Sequence, residues 1–367
     1  MAKRTPFYDW HLSVGAKIVD FAGWELPLHF SRGITQEHLQ TRTSGSIFDV
    51  SHMGRFYLTG RDVPAFLDQV LTRRVSDLPV GQCRYSLCCN EAGGVLDDLM
   101  VGRESKQWLV VCNGSNREKI FKHFSAQRRA LDLDFDLADQ TESTAMVAIQ
   151  GPKVVDRLAG MIPGNLKGMK RWGITTAGLL LIKFTLMRSG YTGEDGVEII
   201  FPAKMAGMAM KVLGGKIGDP TATIQPAGLG ARDTLRIEAA LPLYGHELSE
   251  EIDPISAGLA WAVNLDKECI GAAALRKIAA DGPSKRLVGL ELDGKRIARQ
   301  NAVITQDGSA VGAVTSGTLS PTLGKSIAMG YVAAAASTEG TSLAVQLGSA
   351  EVPARVVAMP FYKRSPG

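Results

Sequence analysis

No stretch of the 367-residue sequence approaches the ~20 consecutive apolar positions of a membrane-spanning helix, so a bilayer-embedded chain is not expected. The opening Met-Ala-Lys-Arg-Thr-Pro has no apolar core behind it, which argues against a secretory leader and makes the cytoplasm the expected compartment. The five cysteines (Cys83, Cys88, Cys89, Cys112, Cys269) are odd in number and form no Cys-x-x-Cys pair. They read as reduced thiols rather than a disulfide scaffold. Six histidines are scattered (His11, His29, His38, His52, His123, His246), leaving neither a zinc knuckle nor a His-x-x-x-His helix. The formal charge of +4 is small and unconcentrated. A nucleic-acid binder would carry a basic stripe, so nucleic acid is not an expected partner. Two nucleotide motifs are incomplete. Gly228-Leu229-Gly230-Ala231-Arg232-Asp233 has aspartate where a dinucleotide fingerprint needs its third glycine, and Leu323-Gly324-Lys325-Ser326 lacks a glycine at position 319 for a P-loop.

What is present begins with Asn90-Glu91-Ala92-Gly93-Gly94, followed by Val95-Leu96-Asp97-Asp98-Leu99-Met100. Five loop residues ending in Gly-Gly, after the strand-like run Arg84 to Cys89, predict a β-hairpin. Alternation then puts Asp97 on the face of Val95 and Leu99, and Asp98 on the face of Leu96 and Met100. Two carboxylates on opposite faces can neither share one proton nor ligate one metal side by side. One acid is then expected exposed at a turn and the other aimed into a pocket or core; the inward one is a candidate for polar-ligand recognition or proton handling, the alternative being a hairpin-turn acid that caps backbone donors.

Along the chain, a helix is expected near Gly33 to Thr43, and Ile47 to Gly54 reads as a strand with its polar side toward a cleft or solvent. Within it His52 is either a general base or a structural hydrogen-bonder. Asp62 is expected to cap a helix through Val63, Phe66, Leu67 and Val70; Gln107 to Asn113 reads as a strand, and Ser115 opens another helix. Residues 55 to 142 thus read as strand, helix, hairpin, strand, helix, strand, an α+β unit compatible with a ferredoxin-like sheet. Strands are expected over Thr144 to Gln150, Leu179 to Arg188 and Val197 to Phe201. The loop Ser189 to Gly196 carries three glycines for positive φ or close ligand approach, with Glu198 just beyond it. Pro226 to Leu241 reads as one helix, with Arg232, Asp233, Arg236 and Glu238 spaced for internal ion pairs. From Arg286 on, short β-rich runs between Asp-Gly and Ser-Gly turns predict an all-β barrel or jelly roll.

Seven segments in order resemble the aminomethyltransferase (T-protein) family of the glycine cleavage system: Val19 to Trp24, Phe48 to Met53, Gly93 to Leu99, Gly190 to Glu198, Gly228 to Asp233, Thr315 to Pro321 and Pro360 to Tyr362. The resemblance implies an α+β, three-domain cloverleaf around a folate site. Its first domain would be discontinuous (1–54 and 143–280), with a ferredoxin-like domain inserted (55–142) and a C-terminal jelly-roll or barrel domain (281–367). It implies that an aminomethyl group on the lipoyl arm of the H-protein is split, releasing ammonia and forming 5,10-methylenetetrahydrofolate. Tetrahydrofolate is then the co-substrate, with neither metal nor pyridoxal phosphate. By position, Asp98 matches the family's essential aspartate and Glu198 its acceptor for the pterin N–H edge, while Tyr85, Met53, Asn113, Tyr191 and Arg232 match other folate-cavity residues. Gly102 and Leu241 stand where some relatives have aromatic residues, which would loosen the pocket. The alternative is a tetrahydrofolate-dependent demethylase of the same fold, disfavoured by the Asp97-Asp98 pair; a non-enzymatic folate-binding relative would keep less of the glycine and aspartate pattern.

Overall fold

The computed structural model describes residues 2–162, 165–179, 182–214 and 221–364. It is an α+β structure whose contacts define two compact units, one of Met1–Asp68, Arg74–Tyr85 and Leu99–Arg232, the other of Gln69–Arg73, Ser86–Asp98 and Asp233–Gly367.

The first unit is built on a six-stranded sheet in the order Ile174–Leu179, Ile182–Met187, Gly196–Pro202, Thr144–Gln150, Ser46–Asp49, Gln225–Pro226. Ala145 to Ile149 is an unbroken apolar run because this strand is interior and covered on both faces. It pairs antiparallel with both neighbours, setting Ala148 opposite Glu198 on one side and Val147 opposite Asp49 on the other. Ile47, Val147, Ile149, Val197, Ile199 and Phe201 meet Val154 and Leu158 of the helix Val154–Ala159 in one core. The expected helix over 33–43 is present as Gly33–Thr43, but it buries polar residues, Glu37, His38, Thr41 and Arg42. Glu37 shows why: its carboxylate accepts the Phe30 amide at 2.6 Å and the Gly228 amide at 2.9 Å, tying two distant backbone segments to one side chain.

The expected order over 55 to 142 is present: Gly54–Thr59, helix Val63–Val70, hairpin Gln82–Cys89 and Val95–Arg103, Trp108–Cys112, helix Arg117–Ala130, Asp136–Asp139. These strands form a five-stranded sheet, with Gly54–Thr59 and Trp108–Cys112 inside it. Phe56, Phe66, Phe121, Phe124 and Phe135 pack between sheet and helices, with Phe66 and Phe135 centroids 4.7 Å apart.

The second unit contains the hairpin tip, the helix Ala272–Asp281 and a closed six-stranded barrel, Lys285–Leu292, Ser326–Ala333, Ser309–Leu319, Val303–Gln306, Ser342–Leu347, Ala350–Val357. Leu290, Ile304, Val314, Ala328, Val345 and Val356 belong to its core. Asp307 and Gly308 both take positive φ in the two-residue turn that joins a pair of barrel strands, as Asp-Gly favours. At Thr315 the register of Ser309–Leu319 against Ser326–Ala333 shifts by a bulge. Thr315 and Ser316, which a regular strand would face oppositely, therefore both reach the buried Arg236–Glu247 pair: Thr315 Oγ1 donates to Glu247 at 2.6 Å and Arg236 Nη2 to Ser316 Oγ at 2.7 Å.

Three local expectations are corrected. Ile47 to Gly54 is not one strand: pairing ends at Asp49, a turn follows, and Asp49 and Ser51 are buried by hydrogen bonds rather than turned to a cleft. The helix expected over 226–241 spans only Leu229–Glu238, because Gln225–Pro226 is held as a strand against Ser46 and Ile47 and Ala240 takes a left-handed φ of 50°. Of the strand expected over 179–188, residues 180 and 181 lie outside the described residues; Ile174–Leu179 is a separate partner strand of Ile182–Met187. Asp62 directly precedes the helix Val63–Val70, its carbonyl accepts the Phe66 amide at 2.9 Å, and its carboxylate accepts from the Asp134 amide and pairs with Arg61.

Candidate functional site

Glu198 lies near the start of Gly196–Pro202, directly after the glycine loop. Its register partners are Ala148 and Met187, so the carboxylate leaves the face of a rigid sheet. Side chains at alternate positions, Val197 and Ile199, go to the core, which leaves Glu198 half-buried on the other face. Ser189, itself only 6% exposed, donates its hydroxyl to Glu198 Oε2 at 2.5 Å.

The loop Ser189 to Gly196 is anchored at three points. Gln150, fully buried at the end of its strand, donates Nε2 to the Ser189 carbonyl at 3.0 Å and accepts from Thr192 Oγ1 at 3.1 Å. Arg42 donates to the Thr192 carbonyl at 2.7 Å and to Glu194 at 2.9 Å, with both charged side chains out of solvent. Arg188 pairs with Asp195 through Nε and Nη2 at 3.2 and 2.6 Å. Only Gly193 among the loop glycines uses positive φ, at 84°. At Gly190 and Gly196 a Cβ would collide with the Gln150 side chain, so these two make room for protein rather than ligand. The expectation of positive φ or close ligand approach thus holds at Gly193 through its φ, and is corrected at Gly190 and Gly196.

Tyr191 rises from this loop onto the guanidinium of Arg232, 4.7 Å from ring centroid to Cζ. Arg232 sits in the first turn of Leu229–Glu238. Its Nη1 is buried and, among the described residues, has no hydrogen-bond partner. Burial pulls the guanidinium below its ordinary pKa, against the opposing charges of Glu198 and Tyr191. Asp233, the neighbour expected as a possible partner for Arg232, pairs instead with Arg236 at 2.9 Å. Glu198, Tyr191 and Arg232 therefore form one group: an acceptor carboxylate, an aromatic face and a cation with a spare donor.

Met53 follows the turn after Ser46–Asp49, where Arg55 holds the Ser51 carbonyl at 3.0 Å and the Met53 carbonyl at 2.5 Å. Arg55 is wholly buried, and burial lowers its pKa to about 10, which leaves it charged at neutral pH. Behind the same turn, Asp49 accepts from Thr5 at 2.6 Å and from the Ser51 amide at 2.9 Å, and its Oδ2 lies 2.9 Å from the His11 ring. Burial favours the neutral Asp49 carboxyl, but His11, Thr5 and Ser51 outweigh it and hold its pKa below the ordinary value. His52 is buried edge-on to Phe21, its Nδ1 without a hydrogen-bond partner among the described residues. Burial, reinforced by Arg232, lowers its pKa to about 3. The ring is therefore neutral across the physiological range, the form that can accept a proton, although it binds one weakly.

Asn113 is extended immediately after Trp108–Cys112 and starts the tight turn Gly114–Asn116; Tyr85 is half-buried on Gln82–Cys89. Beyond the hairpin loop, whose Asn90 closes on Gly94 through backbone and side chain, the expected alternation is realised. Asp97 is wholly buried with Val95 and Leu99, whereas Asp98 is half-exposed with Leu96 and Met100. Gly102 does not leave an empty space: a Cβ there would lie 2.6 Å from Ile174 Cδ1. Ser189, Gln150, Arg42, Arg55 and Asp49 were not singled out from sequence. The one available signal was the presence of polar types inside otherwise apolar or glycine-rich segments.

Among the described residues no group of three His, Cys, Asp or Glu side chains is arranged to hold a metal ion, and no helix is long and apolar enough to cross a membrane. Residues 7–267 match the family described as GCVT N-terminal domain, and residues 285–363 the Glycine cleavage T-protein C-terminal barrel domain. An aminomethyltransferase of Rubrobacter xylanophilus is 42% identical over 365 residues, covering 99% of this chain and 95% of that one. One of Geobacillus kaustophilus is 39% identical over 373 residues, covering 100% of both. The crystal structure of glycine cleavage system aminomethyltransferase T from Bartonella henselae superposes with a TM-score of 0.92 at 33% identity, covering 99% of each chain. The chain belongs to the glycine cleavage T-protein family. It is an enzyme, of the aminomethyltransferase class.

Proposed function

We propose that the chain takes the aminomethyl group from the dihydrolipoyl arm of the H-protein, releases its nitrogen as ammonia and passes the one-carbon unit to tetrahydrofolate as 5,10-methylenetetrahydrofolate. The observation that carries this reading is the Glu198, Tyr191 and Arg232 group, in which a buried guanidinium keeps an unpartnered N–H beside a carboxylate. A buried donor without a partner is costly, and a ligand that supplies an acceptor offsets that cost. Tetrahydrofolate fits: its pterin presents an N–H edge to a carboxylate such as Glu198, a carbonyl to a donor such as Arg232, and a flat ring to Tyr191. When bound, the folate supplies the nucleophilic nitrogen that receives the one-carbon unit.

The chain's own share is to bind, orient and handle charge. Glu198 and Arg232 fix the edge of the ring, with Tyr191 against its face. Met53, Tyr85 and Asn113 are assigned to the walls of the same cavity. Asp98 is assigned the catalytic role: a carboxylate there stabilises positive charge developing on the nitrogen and accepts its proton once the new C–N bond has formed. The choice of Asp98 rests on the resemblance: the inward acid of the pair is the wholly buried Asp97, while the half-exposed Asp98 leaves its carboxylate within reach of a ligand.

The test is incubation with aminomethylated carrier while ammonia is followed with and without tetrahydrofolate. Folate-dependent ammonia release is the expected result. Release with no dependence on folate, or none under any condition, would refute the proposal.

A further inference from the structure

Every hydrogen bond that Glu198 accepts from a neighbour leaves one fewer acceptor position for a ligand, so the Ser189 hydroxyl on Oε2 is either a competitor for the site or part of its design. The surroundings decide for the second. Ser189 is buried, and its carbonyl is pinned by the fully buried Gln150. Gln150 also holds Thr192, and the Gly190 backbone packs against the same amide. The segment that carries the hydroxyl therefore has little freedom to withdraw. Glu198, by contrast, has three side-chain torsions and is fixed by its strand only at Cα. Without Ser189 its carboxylate would sweep several rotamers on a half-exposed face, and ordering it would count against ligand binding.

We propose that Ser189 is the positioning residue for Glu198: its O–H occupies Oε2, makes the two carboxylate oxygens inequivalent and aims Oε1 at the N–H edge of the ligand. This rests on the reading of Glu198 given above. No bond is made or broken by Ser189, and its effect is confined to how well a ring bearing adjacent N–H donors is held. The inference selects a substrate class, heterocycles with an N–H edge. It also predicts that Ser189 matters for binding more than for turnover.

The experiment compares the whole protein with Ser189→Ala, Ser189→Thr, Glu198→Gln and the Ser189→Ala/Glu198→Gln pair. Tetrahydrofolate affinity is measured by calorimetry, and KM and kcat by ammonia release. Ser189→Ala should weaken folate roughly tenfold, the scale of one charge-assisted hydrogen bond. Its effect should fall on KM rather than kcat, and Ser189→Thr, which keeps the hydroxyl, should restore affinity. In the Glu198→Gln background, removing the hydroxyl should change affinity less than about twofold, because the group it positions is already gone. If Glu198→Gln weakens folate while Ser189→Ala leaves it unchanged, the proposal falls and the reading of Glu198 stands. Independent, multiplying effects of the two substitutions also overturn it. If Glu198→Gln has no effect on folate, both fall together.

Discussion

Replacing His52 by glutamine isolates one buried ring whose titration should be visible in the stability of the protein. In the unfolded chain the imidazole titrates near its ordinary ~6.5. In the fold, burial and the nearby Arg232 guanidinium hold it to about 3. Between those values the unfolded chain binds a proton that the folded chain refuses, so stability rises with pH across this window. The contribution is complete above the unfolded value and is lost as pH falls from there toward the folded value. At pH 5 the loss spans about 1.5 pH units at ~1.36 kcal/mol each, or roughly 2 kcal/mol. Urea denaturation at pH 7 and pH 5 reads it directly. The wild type should lose about 2 kcal/mol more between the two conditions than His52→Gln, which has nothing to protonate at this position. Equal losses would mean that His52 binds its proton normally in the fold, and the account of a neutral, solvent-free ring beside Arg232 would be wrong.

The Arg236–Glu247 pair is 1% and 0% exposed, so Arg236→Met should cost about 3 to 5 kcal/mol by stranding a buried carboxylate. Adding Glu247→Leu should recover much of it; thermal unfolding checks both, and an unperturbed single variant refutes the argument. Asp98→Asn should lower turnover roughly 100-fold in the ammonia assay, whereas Asp97→Asn should cost stability, about 1 to 3 kcal/mol, by disturbing a wholly buried group. The reverse pattern, an active Asp98 variant and an inactive but folded Asp97 variant, would reject both assignments. Gly190→Ala should displace Gln150 and cost about 1 to 3 kcal/mol, with folate affinity falling as well; a variant as stable and as tight-binding as wild type would show that Gln150 does not hold the loop.

Local grammar made much of the fold legible. Asn90 to Gly94 is a five-residue connection with its own hydrogen-bond partners, Asp307-Gly308 is a two-residue turn at positive φ, and the alternation through Asp97 and Asp98 needs only the strand period. What stayed hidden was held by distance along the chain. Arg55 reaches Thr144 across 89 positions and Arg42 reaches Glu194 across 152, and no window of sequence shows such a pair. Burial of polar groups caused the misreading around Ile47 to Gly54. Asp49 and Ser51 looked like one edge facing a cleft or solvent, whereas Thr5, His11 and Arg55 supply partners that make an interior position affordable. The candidate site followed the same division: Glu198 stood out by its place after the glycine loop and by resemblance, Tyr191 and Arg232 by resemblance alone, and Ser189, which touches Glu198, looked like an ordinary loop serine.

The C-terminal barrel closes through its first and last strands, with Gly289 opposite Val357 and Leu292 opposite Ala354. Losing the last strand would therefore do more than shorten the chain. It would unpair Lys285–Leu292 along one side and Ser342–Leu347 along the other, turning a structure without edges into one with two. Both exposed rows of N–H and C=O groups are templates for another chain, so a premature stop before Ala350 should yield a protein that aggregates rather than one that is merely less active.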